Sequence, residues 1–109
     1  MNKEPAIYII SNKHHTTFYI GVTSDLERRM LEHKAGIGSA FTSKYILNEL
    51  LYYEKFQTMT QAIEREKQLK NWHRQWKINL IVTINPEMID LAKDWFDSET
   101  IACAKFERS

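Results

Sequence analysis

Two short runs of β-branched and aromatic residues, separated by a polar segment, are typical of a β-hairpin near the start of the chain. Residues 6–10 are mostly β-branched or aromatic, which predicts a strand, and residues 16–22 predict a second one. The polar segment 11–15 between them is typical of a turn. Residues 50–56 predict a third strand. Together these segments favour a small, mostly antiparallel sheet of three strands.

A helix is predicted directly after the hairpin. Ser24 and Glu27 fit a capping box, in which a serine caps the helix and a glutamate three residues later caps in return. The helical pattern continues to about Lys34. Residues 36–44 are small and polar, which predicts a loop before the third strand.

Further helices are predicted in the second half of the chain. Thr58 or Thr60 caps a longer helix that reaches Asn71, and residues 72–82 continue the pattern after a break. Pro86 stands where a last helix would begin, because proline is favoured at the first helical position.

This order of elements predicts one α+β domain over residues 1–96, followed by a loosely held C-terminal tail over 97–109. No apolar run approaches the ~18 residues that span a bilayer, and no signal peptide is expected. Cys103 is the only cysteine, which excludes an internal disulfide and a cysteine-based zinc site. We therefore expect a cytoplasmic protein with no membrane partner.

Basic side chains are concentrated in the middle of the chain. The net charge is only +1, but residues 28–80 hold ten basic and five acidic side chains, and both ends are acidic. A basic middle segment is a weak indication of a nucleic-acid partner. An unevenly charged solvated surface is the alternative.

Helical spacing distributes the first helix between two sides. Arg29 and His33 share the apolar side with Met30. Arg28 and Glu32 lie four residues apart on an adjacent side, where an exposed ion pair is expected. Arg29 therefore either leans into a cleft or extends along the apolar surface to water.

Glu66 is the unexpected residue of the second helix, because it lies on the side that faces inward. That inward stripe is marked by Ala62, Leu69, Trp76 and Leu80. A carboxylate is costly to bury unless it is paired or bound to a cation, and Glu66 is expected to bind a cation or an inward arginine such as Arg29. Glu64 points elsewhere and is predicted at the surface.

A basic stripe follows from the same spacing, with aromatic residues between its members. Its residues are Lys67, Lys70, Arg74 and Lys77, interleaved with Trp72, His73 and Trp76. Such a stripe can follow a phosphate backbone. The alternative is that the lysines are simply solvated and the tryptophans belong to the core. Tyr8 and Tyr19, on the paired strands, either converge on one site or are structural.

Taken in order, these residues resemble the GIY-YIG nuclease superfamily. The series comprises Ala6-Ile7-Tyr8, Tyr19-Ile20-Gly21, the segment from Thr23 to Arg29, His33, and the segment from Ala62 to Lys70. The chain is most similar to the small single-domain bacterial branch that resembles the catalytic module of the excision-repair nuclease. The resemblance covers about residues 5–95, and Ala6 replaces the first glycine of the family pattern.

The resemblance implies a set of catalytic residues and a cofactor. The implied catalytic residues are Tyr8, Tyr19, Arg29, His33 and Glu66. Glu66 would bind one Mg²⁺ or Mn²⁺ ion, Arg29 would bind the phosphate, and His33 would orient a tyrosine or relay a proton. A tyrosine would contact the attacking water, and its usual pKa of ~10 would have to be lowered by the metal or by an arginine. The implied nucleic-acid contacts are Tyr45, Lys67, Lys70, Arg74 and Lys77, and Asn79 is not assigned a role.

The implied function is that of a metal-dependent endonuclease that hydrolyses DNA phosphodiester bonds. It would be specific for DNA structure and linked to DNA repair or recombination. One alternative is a DNA-binding module that is inactive or cuts only with a partner protein that supplies specificity. A structural or interaction protein is a third possibility. The oligomeric state and the choice between DNA and RNA stay open.

Overall fold

Three antiparallel strands form one sheet in the computed structural model of the protein, which describes residues 4–108 and the side chains as far as residue 106. The spatial order is β2-β1-β3, with β1 at Ala6–Ser11, β2 at Phe18–Thr23 and β3 at Glu49–Lys55. The helices are α1 (Leu26–Lys34), α2 (Ala40–Lys44), α3 (Met59–Lys70), α4 (Arg74–Ile84) and α5 (Ser98–Arg108). The predicted α+β class and antiparallel sheet are confirmed. No helix in this part of the chain is long and apolar enough to cross a membrane.

The central strand β1 separates two hydrophobic cores. Every residue of β1 is buried, and successive side chains of a strand point to opposite faces of the sheet. Tyr8 and Ile10 pack with Met30 of α1, whereas Ile9 packs with Leu69 of α3 on the other face. The helices α1 and α3 therefore cover opposite faces, and Tyr8 lies on the face covered by α1.

The helices α1 and α3 are each capped by the side chain of the residue that directly precedes the helix. Asp25 caps α1, since its carboxylate accepts a hydrogen bond from the backbone N–H of Arg28 at 3.1 Å. The predicted cap at Ser24 is therefore wrong by one residue. Thr58 caps α3 in a complete capping box with Gln61, so the first of the two predicted caps is confirmed.

The segment 36–44, predicted as a loop, contains the five-residue helix α2. Ser39 caps this helix, and its hydroxyl accepts from the backbone N–H of Thr42 at 3.1 Å. Thr42 is buried, whereas Phe41 and Tyr45 at the surface of α2 are exposed. A short helix was not predicted here because its small and polar residues are equally typical of a turn.

The segment after α4 is held by side chains that bond to distant backbone groups. Asn85 is buried and its amide donates to the carbonyl of Leu51 in β3 at 3.0 Å. Asp90 accepts from the backbone N–H of Leu50 at 2.9 Å and forms an ion pair with Lys34. These bonds stabilise turns over residues 86–97, so the predicted helix from Pro86 is wrong.

The C-terminal residues form helix α5 rather than the predicted loose tail. This helix covers 98–108 and packs against α1, and Ala104 is buried in the contact. The helix α5 was not predicted because most of its residues are polar and its hydrophobic periodicity is weak. Its position also depends on packing against α1, which the local sequence does not report.

Candidate active site

Tyr8 lies at the centre of a buried polar cluster. Its hydroxyl oxygen is 3.0 Å from Nε2 of His33, and Nε of Arg29 donates to the same oxygen at 3.2 Å. Arg29 and His33 lie four residues apart on α1, so they share the face that covers Tyr8. The structure thus brings three predicted catalytic residues together, and Arg29 leans towards the sheet as one of its two predicted alternatives requires.

Gly21 makes room for Tyr8 on the neighbouring strand. The two residues are direct partners in the β1–β2 register, and the ring of Tyr8 passes over the glycine backbone. A Cβ atom at Gly21 would lie 2.3 Å from the hydroxyl oxygen of Tyr8. Only glycine allows this approach, which gives a steric reason for the glycine in Tyr19-Ile20-Gly21.

His33 is held on its other side by α2. Nδ1 of His33 is 3.2 Å from the hydroxyl of Thr42, which lies 2.8 Å from the hydroxyl of Ser39. A Cβ atom at Gly38 would lie 2.2 Å from Nδ1 of His33, so the loop packs directly on the imidazole. None of Gly38, Ser39 and Thr42 was predicted as a site residue. The sequence signal that could have found them is Ser39 followed three residues later by Thr42, an N-cap pattern.

Burial holds both Tyr8 and His33 in their neutral forms. It raises the pKa of the Tyr8 hydroxyl to about 12, although the hydrogen bond from Arg29 acts in the opposite direction. Burial also lowers the pKa of His33 to about 4, and the positive charge of Arg29 lowers it further. Burial therefore outweighs the lowering by Arg29, and the Tyr8 pKa lies above its usual value of ~10 instead of below it.

Glu32 orients Arg29. Nη1 of Arg29 donates to the Glu32 carboxylate at 3.0 Å, while Nε of Arg28 lies 3.8 Å from its other oxygen. The Glu32 side chain is only 11% exposed, so the expectation of an exposed pair with Arg28 is wrong for Glu32. The Arg29 side chain is 29% exposed and can reach a ligand from this position.

Tyr19 and Lys70 connect Glu66 to the Tyr8 cluster. The ring of Tyr19 lies 6.4 Å from that of Tyr8, and Nζ of Lys70 lies 5.9 Å from the Tyr19 ring centre. Lys70 in turn forms a 3.5 Å ion pair with Glu66. Because α3 and α1 cover opposite faces of the sheet, Glu66 does not meet Arg29 and pairs with Lys70, four residues further along α3.

Glu66 is the carboxylate that the resemblance assigns to a metal. Among residues 4–106, no three histidine, cysteine, aspartate or glutamate side chains group as a metal site. The Glu66 side chain is 16% exposed and lies within reach of solvent. One carboxylate suits Mg²⁺ or Mn²⁺, which prefer oxygen ligands and keep several waters. The residues present fit a hydrated divalent cation at Glu66.

The basic stripe is divided between two helices. Lys70 ends α3 and Arg74 begins α4, so the four basic residues do not lie along one continuous helix. Arg74 donates to the backbone carbonyls of His15 and Thr16 and covers the ring of Phe18 at 4.5 Å. This arginine thus holds the hairpin turn, whereas Lys67 is exposed on α3.

Lys70 and Lys77 line a groove of about 320 Å³ beside the Tyr8 cluster. The other lining residues are Phe18, Tyr19, Ile20 and Phe41. Tyr45 is exposed and connects to this groove through the ring of Phe41, 4.8 Å away.

The two tryptophans that were expected in the core, Trp72 and Trp76, differ in burial. Trp76 is 54% exposed, so its place on the inward stripe is wrong, while Trp72 is half-buried against the core. Asn79 accepts a hydrogen bond from Gln75 on the surface of α4 and lines a shallow groove with both tryptophans.

The sheet order and the tyrosine, arginine and histidine around it define the catalytic domain of a GIY-YIG protein. The family model described as the GIY-YIG catalytic domain matches residues 4–79, and the chain belongs to this family. A UPF0213 protein of Staphylococcus saprophyticus is 36% identical over 75 residues, which cover 69% of this chain and 90% of that protein. A UPF0213 protein of Haloquadratum walsbyi is 35% identical over 80 residues, or 73% and 89% of the two chains.

A solved structure shows the same fold. The solution NMR structure of a UPF0213 protein from Bacillus halodurans superposes with a TM-score of 0.52 at 24% identity. The match covers 84% of this chain and 97% of the other.

Proposed function

We propose that the protein is a metal-dependent endonuclease that hydrolyses DNA phosphodiester bonds, with specificity for DNA structure and a role in repair or recombination. The observation that supports this most is the buried hydroxyl of Tyr8, which Arg29 and His33 approach at 3.2 and 3.0 Å. Burying such polar groups is costly, and a fold gains nothing from them that apolar residues would not supply. A site for phosphate chemistry explains the arrangement.

The attacking water would lose its proton through Tyr8 and His33. Because neutral His33 carries one proton, donation from Nδ1 to Thr42 leaves Nε2 free to accept the proton of Tyr8. Tyr8 can then take a proton from water while it passes its own to His33, and no free phenolate is needed. Burial is the main cause of the low pKa of His33 and the charge of Arg29 is the second. A phosphate bound to Arg29 would offset the second cause and make the imidazole a better acceptor.

Arg29 and Glu66 would handle the negative charge of the substrate. Arg29 presents forked N–H donors, which suit the oxygens of the phosphate in the transition state. Glu66 would hold a divalent cation, whose charge offsets that on the phosphate and on the leaving oxygen. Lys70 is 49% exposed and would turn from Glu66 to a flanking phosphate.

Cleavage of labelled DNA in Mg²⁺ or Mn²⁺ tests this proposal, with duplex, single-stranded, flap and four-way substrates. Glu66→Gln is expected to abolish cleavage, since the amide cannot replace the carboxylate as a cation ligand. Glu64→Gln is the matched control, because Glu64 is an exposed carboxylate on the same helix, and it should cut as the wild type does. EDTA should stop the wild-type reaction. Near wild-type cleavage by Glu66→Gln would remove Glu66 from the site.

The alternative function has its own outcome in the same experiment. Binding of all substrates without cutting, equally strong in EDTA, would support a DNA-binding module that is inactive or needs a partner protein. Absence of any salt-sensitive binding would point to an interaction protein instead.

A further inference from the structure

An aromatic surface extends from the candidate active site onto α2. The ring of Phe41 lies 6.1 Å from that of Tyr19, and the ring of Tyr45 lies 4.8 Å further along from Phe41. Phe41 is 45% exposed and Tyr45 is 44% exposed, so both rings offer area to a ligand. We call Phe41 and Tyr45 the aromatic platform.

The platform is not required to hold α2 in place. Ser39 caps the helix, and the buried Thr42 hydroxyl attaches it to His33. Phe41 and Tyr45 take no part in these two hydrogen bonds, and nearly half of each residue is exposed. The exposed part of these two rings adds nothing to the stability of the isolated chain, because burial is what makes aromatic residues stabilising.

Cationic side chains surround the platform. Nζ of Lys44 lies 5.5 Å from the centre of the Tyr45 ring, and Lys70 and Lys77 line the groove that Phe41 borders. Exposed rings flanked by lysines are the combination that binds single strands, since bases stack on the rings while the lysines contact the phosphates.

We propose that the aromatic platform binds unpaired nucleotides of a DNA strand next to the scissile phosphate. Within a duplex the faces of the bases are covered by neighbouring pairs, and a blunt end offers only the outer face of its last pair. A strand that runs along the platform can therefore stack on its rings only where the bases are unpaired. The proposal rests on the proposed function for the place of the scissile phosphate, at Arg29 and Tyr8. It narrows the substrate to DNA with a single-stranded segment at the cut.

Equilibrium binding in EDTA tests the platform separately from cleavage. Fluorescence anisotropy would give dissociation constants for a blunt duplex and for the same duplex with a short single-stranded overhang. Phe41→Ala is expected to weaken overhang binding by about tenfold, the loss usual for one stacked base, and to change blunt-duplex binding by less than about twofold. Tyr45→Ala should act in the same direction. A 2-aminopurine in the overhang should be quenched by the wild type and not by Phe41→Ala.

Two variants control for folding and for general loss of apolar surface. Phe41→Trp should retain overhang binding, whereas Phe41→Leu keeps apolar bulk and should lose it. Phe106→Ala removes an exposed phenylalanine from α5 and should change neither constant. Equal weakening on both substrates, or no weakening on either, would overturn the proposal. If the wild type cuts no substrate, the proposed nuclease activity is contradicted. The binding of unpaired nucleotides to the platform is tested separately by the dissociation constants.

Discussion

The hydroxyl of Tyr8 and Nε2 of His33 are 3.0 Å apart, and both side chains are buried. Tyr8 comes from the central strand and His33 from α1, so their bond joins the sheet to the helix that covers it. Because burial keeps both groups neutral, the bond holds one transferable proton, which in the proposed mechanism would pass from Tyr8 to His33. The predictions below concern the residues that maintain this pair.

Thr42→Val is expected to reduce kcat for cleavage by about 10- to 100-fold with little change in KM. Valine matches threonine in shape but leaves Nδ1 of His33 without its partner, and losing the partner that orients a histidine typically costs that much. Steady-state cleavage rates measure the effect. Thr42→Ser keeps the hydroxyl and should retain most of the activity. If serine and valine lowered kcat equally, the hydroxyl would have no role in orienting His33.

Gly21→Ala is expected to destabilise the protein by about 1–3 kcal/mol, the usual cost of overpacking. The added Cβ would meet the Tyr8 hydroxyl at 2.3 Å, so the ring must move away from His33. Urea unfolding gives the free energy of unfolding. In a Tyr8→Ala background the same change should cost almost nothing, because the obstructing ring is absent. A cost that is the same in both backgrounds would show that Tyr8 is not the obstruction.

The free energy of unfolding is expected to fall as the pH drops from about 6.5 to about 4 because of His33. The pKa of His33 is about 4 in the fold and near 6.5 in the unfolded chain, so the unfolded state binds more protons across this window. The loss should reach at most about 3.5 kcal/mol, at ~1.4 kcal/mol per pKa unit. Urea unfolding at several pH values, compared with His33→Gln, isolates the effect. Parallel pH profiles for the two proteins would refute it.

Arg29→Ala is expected to lower the cleavage rate by about 100-fold or more, because it removes charge stabilisation of the phosphate. Arg29→Lys should also be impaired, since lysine lacks the forked donors that could bond to Tyr8 and to the proposed phosphate at the same time. Arg28→Ala is the matched control. The Arg28 side chain is 51% exposed and its pair with Glu32 is long, so its loss should be mild. A severe Arg28 variant beside a mild Arg29 variant would contradict the assigned roles.

Much of the fold could be predicted because its signals are local. The apolar residues of β1 indicated a strand, and helical spacing placed Arg29 and His33 on one side of α1. The cap at Thr58 was also predictable, since a capping box lies within four residues of sequence. The ordered series of residues from Tyr8 to Glu66 predicted membership of the GIY-YIG family, and the match over residues 4–79 confirms it. The catalytic roles of these residues stay predictions.

The tertiary structure alone decided which distant groups meet. Thr42 reaches His33 only because α2 folds over α1, and no local period reports that contact. Asn85 donates to the carbonyl of Leu51, which is 34 residues away in the sequence. This bond helps to hold residues 86–97 in turns, where the sequence predicted a helix. The sheet lies between α3 and α1, which separates Glu66 from Arg29 and leaves it with its local i,i+4 partner Lys70. Sequence periodicity shows which side of an element is buried. What that side is buried against depends on chain closure over long distances, which only the folded protein determines.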